Sequence, residues 1–246
     1  MMEKRGLLDA KKNVAKTMDA PKIEPKDPDI LSLDEVCKIF EYVRDNPQEH
    51  VFIPALAVGF FCGARLSERS RLTHADILRG NRDEVYLSRV ITKKHLPRYT
   101  YTCPNFKAWM DFARDHGVKM KTDDYLLPGD TEEQRKYAHI RLQRRLAVVI
   151  GKAPFPQNSI RHTAASNMSE FSNMSSAANQ LGHNESVLKR NYRKPINRED
   201  ATAYFNISPD CCDAEKLRAY ARTLLEEARS IQPNWWLSHL CHSSPF

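Results

Sequence analysis

No apolar run in this chain approaches the roughly 18–20 residues that a bilayer-spanning helix needs, so no membrane partner is expected. The Met1–Lys12 start is charged and lacks an apolar h-region, so no secretory signal is expected either. Six cysteines (37, 62, 103, 211, 212 and 241) are scattered without a CxxC half-site, and adjacent Cys211-Cys212 do not make one. Spacing therefore speaks against a metal site, and reduced thiols are the expected state. An acidic excess is also missing. With 38 Lys and Arg against 31 Asp and Glu, the net charge is +7 and the pI about 9.1, which favours an anionic partner. The 246 residues hold one full domain plus appendages, and 41% hydrophobic with 28% charged residues fits a globular chain.

Residues 1–30 are rich in Lys and Pro (AKTMDAPKIEPKDPDI) and read as a linker, with a short helix expected over Met2–Ala10. Ser32-Leu33-Asp34-Glu35 is a capping box, followed by Val36, Ile39, Phe40 and Val43 at helical spacing. A second helix over Pro54–Cys62 is apolar all round and should be buried. EVYL, RVIT and RYTYT read as short strands of a small antiparallel sheet around the turn Lys93-Lys94-His95-Leu96-Pro97. PNFKAWMDFARDHG is a helix closed by Gly117, with Phe106, Trp109, Met110 and Ala113 as core, and DDYLLPGD is a loop. Glu132–Ile150 is a long helix with a basic side: Arg135, Lys136, Arg141, Arg144, Arg145 and, beyond it, Lys152. Such a side is either solvated or supplies phosphate contacts to a duplex. REDATAYFNI is a short helix. Another starts at Ser208-Pro209-Asp210 and carries an amphipathic stripe of Leu217, Tyr220, Ala221, Leu224, Leu225 and Ala228. The ending NWWLSHLCHSSPF has no readable role.

The stretch from Asn158 to Tyr192 carries the chemistry. It gathers Arg161, His162, His183 and Tyr192 behind a loop containing Pro154 and Pro156. Cations and imidazoles around one tyrosine are odd for a core. They suit a site that grips a phosphate and attacks it, because Arg offers a fork of donors matching phosphate oxygens. Tyr, with a free pKa of about 10, needs such surroundings to act as a nucleophile. Upstream, Arg65 directly follows the buried helix, where a charge must be paired or liganded. It is either salt-bridged to Glu68 or Asp76, or a phosphate ligand.

Arg161-His162-Thr163, then Leu181-Gly182-His183, then a Tyr nine residues after that His resemble the C-terminal signature of tyrosine recombinases (phage-type integrases). GARLSE, residues 63–68, is similar to that family's first-Arg box. The resemblance implies a mainly α fold with a small antiparallel β-sheet, the tyrosine-recombinase catalytic domain, over residues 31–207. Residues 1–30 are then the remnant of a connection to an N-terminal DNA-clamping domain missing from this sequence, and 208–246 a C-terminal amphipathic helix and tail. It also implies roles. Tyr192 is the nucleophile, Arg65, Arg161 and His183 hold the phosphate, and Glu68 fixes the Arg65 guanidinium. Lys93, five residues before Arg98, is the general acid, with Lys94 as its rival. Where the family usually has His three residues before the second Arg, this chain has Asn158, which can donate an N–H but cannot shuttle protons. His162 beside Arg161 could substitute, although its counterpart is more often structural. Arg190, Arg193 and Lys194 would draw in the DNA backbone.

The function implied is site-specific cleavage and rejoining of double-stranded DNA through a 3′-phosphotyrosyl intermediate, as the integrase of a phage or mobile element. No cofactor, metal or nucleotide is implied. A tetramer on DNA is expected, with the C-terminal helix passed to the next protomer; cis packing of that helix is the alternative. The expected location is cytoplasmic and nucleoid-associated, in a bacterial or phage-encoded setting. Three other readings stay open: a type IB-like topoisomerase, a non-catalytic DNA-binding remnant of a truncated integrase, and a general basic helical protein.

Overall fold

The computed structural model describes residues 27–77, 84–92, 96–191 and 194–231. Tyr192, Arg193, Lys93, Lys94 and the Met2–Ala10 helix lie outside the described residues. Eleven α-helices and one two-stranded sheet are assigned among them. Helix α1 (Leu33–Asp45) starts on the expected capping box, with the Ser32 hydroxyl accepting from Glu35 N and the Glu35 carboxylate from Ser32 N. It leads through a 3-10 turn (Pro47–Phe52) into α2 (Ile53–Cys62), every residue of which is buried. Around α2 sit α5 (Pro104–Asp115) and α7 (Ser159–Phe171). Phe40 lies 5.1 Å from Phe61, stacked, and 4.7 Å from Trp109, while Tyr204 donates its hydroxyl to Phe60 O at 2.6 Å. Burial of each such ring contributes roughly 1.5–3 kcal/mol.

The sheet is smaller than the sequence pattern suggests. Strands β1 (Glu84–Leu87) and β2 (Arg98–Tyr101) pair antiparallel, with Leu87 opposite Arg98 and Val85 opposite Thr100. RVIT, residues 89–92, is not a strand: Ile91 N and Thr92 N both donate to Ser88 O in a turn that buries Ile91. Ile91 and Thr92 are buried by this turn without pairing, while Val90 stays exposed. The inward side of the sheet carries Val85, Leu87, Thr100 and Arg98; the outward side carries Tyr86 and Tyr99, 4.8 Å apart.

The long helix α6 (Glu132–Val149) runs as expected, but most of its basic side is spent internally. Arg135 is buried, donating to Ser70 O, Gly129 O and Asp130 O beneath the Tyr125 ring. Arg145 pairs with Glu49, Lys136 with Glu132, and Lys152 with Glu35. Arg141 and Arg144 are exposed, as is Lys152 despite its pairing. A long basic run on one helix therefore overstates the charge available to a partner.

Short helices α3 (Leu66–Arg69) and α4 (His74–Ile77) precede the sheet. After α7 come α8 (Met174–Leu181), α9 (Glu185–Asn191), α10 (Arg198–Tyr204) and α11 (Ala214–Ile231). Helix α11 begins later than Ser208-Pro209-Asp210, because Ser208 and Cys211 close a turn and Asp213 Oδ1 accepts from Glu215 N and Lys216 N. Its stripe is occupied in cis at its first half: Leu217 and Ala221 are buried where α11 packs on α10 and α1, and Arg218 pairs with Asp34 and Asp200.

Candidate active site

Two left-handed turns carry the site. Helix α2 ends at Gly63 (φ 66°) and α8 at Gly182 (φ 67°), a conformation that favours glycine. A Cβ on Gly63 would stand 2.4 Å from Leu181 Cδ2, so the two turns also need glycine to come together. Arg65 follows the first turn by two residues and His183 follows the second by one. The turns bring them into contact, with Arg65 Nη2 2.8 Å from His183 Nε2. Since Arg can only donate, Nε2 accepts and the ring proton sits on Nδ1.

Arg161, on the first turn of α7, ties these turns together. It is 4% exposed and donates Nη1 to Gly63 O and Nη2 to Leu181 O. It thus pins the carbonyl two residues before Arg65 and the carbonyl two residues before His183. Burial pushes the neighbouring His162 below its ordinary value, partly offset by a hydrogen bond with the Asp29 backbone. Beside it, Leu31 N donates to Thr163 Oγ1 at 2.8 Å, so this end of α7 also anchors the segment entering α1.

Glu68 is fully buried and accepts four N–H groups: from Arg65 N (2.8 Å), Arg65 Nη1 (3.0 Å), Arg98 Nη1 (3.0 Å) and Arg98 Nη2 (2.8 Å). Burial alone pushes its carboxyl up. The Arg98 hydrogen bonds and charge, the Arg161 charge and the Arg65 N–H overcome that and bring it down to about 2. The paired and liganded readings of Arg65 are therefore compatible. Its side chain is 20% exposed, and among the described residues its Nε–H and one N–H on each terminal nitrogen have no partner and are available to a ligand.

Arg98 is the residue that sequence reasoning passed over, using it only to count back to Lys93. Its Nε donates to Gln180 O at 2.8 Å and its shaft runs over Gly182, where an added Cβ would stand 3.2 Å from Cδ. A signal existed: Arg98 shares strand parity with Thr100, on the inward side, where a charge requires a carboxylate. A cleft of about 320 Å³ opens over this cluster, lined by Arg65, Arg98, His183, Thr92, Asn179 and Asn184 among others. Thr92 is 2% exposed, and its hydroxyl has no partner among the described residues.

Not every expected residue meets this cleft. Asn158, left-handed at φ 58° and exposed at the start of α7, is not among its lining residues. Arg190 is exposed on α9; Lys194 is exposed, with its backbone N donating to Ser166 Oγ at 2.9 Å. Among the described residues no group of His, Cys, Asp and Glu could hold a metal, and no helix is long and apolar enough to cross a membrane. Chemically, the Arg65 guanidinium beside the His183 imidazole at an open cleft makes a binding place for an anion such as a phosphodiester.

No protein-family model matches the sequence, and no curated protein is similar to it. Among solved structures the chain is similar to XerA recombinase, with a TM-score of 0.54 and 19% identity. The match covers 73% of this chain and 62% of that protein, so the chain spans less than two thirds of that recombinase's length. The likeness is one of fold: mainly helical with a small antiparallel sheet, and tyrosine-recombinase-like.

Proposed function

We propose that this chain breaks and rejoins DNA strands, with Tyr192 as nucleophile and the Arg65–His183 cleft as the seat of the scissile phosphate. The observation that carries the reading is the convergence of Arg65, Glu68, Arg161 and His183 from segments about a hundred residues apart. The recombinase-like fold supports it. In this reaction the Tyr192 hydroxyl gives up its proton to water, its oxygen attacks phosphorus, the P–O5′ bond breaks, and the electron pair of that bond leaves on O5′. That oxygen takes a proton, from Lys93 in this reading. Attack by a 5′-hydroxyl of another strand reverses the step and releases Tyr192, so no energy source is consumed.

The transition state gathers charge on the non-bridging oxygens, where each fixed donor is worth about 2.7–4 kcal/mol. The outward N–H groups of Arg65 serve there. His183 joins as a donor once Nε2 takes a proton or its ring turns away from Arg65. Duplex DNA is the partner, and tetramer formation through the far half of α11 belongs to the same proposal, as does the phage or mobile-element origin.

A second reading, a DNA-binding remnant without strand-breaking activity, has its own support: Arg161 already spends both terminal nitrogens on carbonyls, and Asn158 stands away from the cleft. One experiment separates them. Wild type and Arg65→Ala are incubated at low salt with pooled randomised duplexes nicked near the cleavage position, then run in SDS. Strand breaking predicts an SDS-resistant adduct that falls about 10²–10³-fold in Arg65→Ala while retention of DNA persists. Retention without adduct in wild type favours the remnant and overturns the catalytic reading.

A further inference from the structure

We propose that Arg98 is a positioning residue for strand breaking: it occupies the Glu68 carboxylate so that Arg65 stays turned towards the phosphate. The inference rests on the catalytic reading above. Its starting point is the division of one buried carboxylate between two guanidiniums. Arg98 takes both oxygens in a fork, while Arg65 spends a single side-chain N–H on Oε1. A carboxylate left with one guanidinium draws it into the bidentate fork, the stronger arrangement. Without Arg98, Arg65 would swing fully onto Glu68, and the N–H groups it now holds out would face inward. A fully buried anion makes that pull strong, since leaving it unpaired is costly.

Arg98 also holds the other neighbour of Arg65. Its Nε–H fixes Gln180 O, and its shaft fills the space over Gly182, directly before His183. The Gln180 side chain in turn accepts from Tyr101 N at 3.3 Å, so β2 and the end of α8 are tied twice. With its side chain only 8% exposed, Arg98 reaches the reaction through Glu68 and the α8 turn. The two residues that flank Arg65, Glu68 and His183, are thus both set by one side chain from the sheet.

The test compares wild type, Arg98→Gln and Arg98→Lys in single-turnover adduct formation on a nicked duplex that wild type cleaves. The scissile position carries either a phosphate or a neutral methylphosphonate, in which a methyl group replaces one charged oxygen. Misdirection of Arg65 predicts that Arg98→Gln slows the phosphate substrate about 10²-fold, the scale of one lost oxyanion donor, and the methylphosphonate by less than about 10-fold. Arg98→Lys should lie between, because an ammonium neutralises Glu68 but cannot fork it. Thermal melts of each variant accompany the rates, and Arg98→Lys carries the comparison if Arg98→Gln does not fold. Equal loss on both substrates, or no loss on either, overturns the proposal while leaving the catalytic reading intact. No adduct from wild type on any duplex overturns the catalytic reading, and the proposal with it.

Discussion

Arg98 and Arg65 share one carboxylate: Glu68 Oε2 and Oε1 lie 2.8 and 3.0 Å from Arg98, and Oε1 also lies 3.0 Å from Arg65 Nη1, with Glu68 fully buried. This grip has an acid signature. The Glu68 carboxyl is held at about 2, below its ordinary 4.5, so its contribution is complete above pH 4.5 and is lost as pH falls towards 2. The shift corresponds to a stability on the order of 3 kcal/mol. Urea midpoints across that window should fall steeply in wild type. In Glu68→Gln the neutral-pH stability should be lower and this part of the acid slope should be gone.

His139 adds a second slope at higher pH. It is fully buried on α6, and its Nε2 lies 3.4 Å from Arg69 Nη2. Burial, then the Arg69 charge, push the imidazole well below its ordinary 6.5. A depressed base is neutral in the fold and protonated in the unfolded chain, so stability is full above pH 6.5 and declines below it. His139→Gln keeps an acceptor for Arg69 and removes the titration. Its unfolding midpoint should change less than that of wild type between pH 6.5 and 5.

Arg161 is predicted to matter for folding before it matters for chemistry. Arg161→Ala leaves the buried carbonyls of Gly63 and Leu181 without these donors, at about 1–3 kcal/mol for each group. Chemical denaturation should register a loss of about 3 kcal/mol, and Arg161→Lys a smaller one. An inactive Arg161→Ala protein would therefore not by itself assign Arg161 to the phosphate.

Gly63→Ala should be the most damaging single methyl in the site. It meets Leu181 at 2.4 Å in a left-handed turn, and overpacking with backbone strain costs about 1–3 kcal/mol each. Gly182→Ala is strained by its φ of 67° but meets only the Arg98 shaft, at 3.2 Å. A melting-temperature comparison should rank Gly63→Ala below Gly182→Ala.

The main features of the fold were legible because they are local. The capping box at Ser32, the all-apolar α2 and the Trp109 face of α5 each declare themselves within a dozen residues. Arg65 and His183 were legible as motif residues, yet their contact depends on two glycine turns closing over Arg161, which spacing alone does not encode. Arg98 was missed because a single strand residue reveals its charge partner only after the sheet packs. The basic side of α6 misled for the same reason: Arg135 and Arg145 find carbonyls and a carboxylate on other elements. Even where a helix was foreseen, α11 began later, since Asp213 rather than Ser208 provides the cap.

The most direct test of the central claim is the identity of the linked residue. Wild type and Tyr192→Phe are reacted with the same nicked duplex pool at low salt, and any SDS-resistant complex is digested and its nucleotide-bearing peptide sequenced by mass spectrometry. The account predicts an adduct in wild type whose DNA sits on Tyr192 through a 3′ phosphate, and none in Tyr192→Phe. An adduct of equal yield in Tyr192→Phe, or DNA retained by wild type with no covalent product, would contradict it.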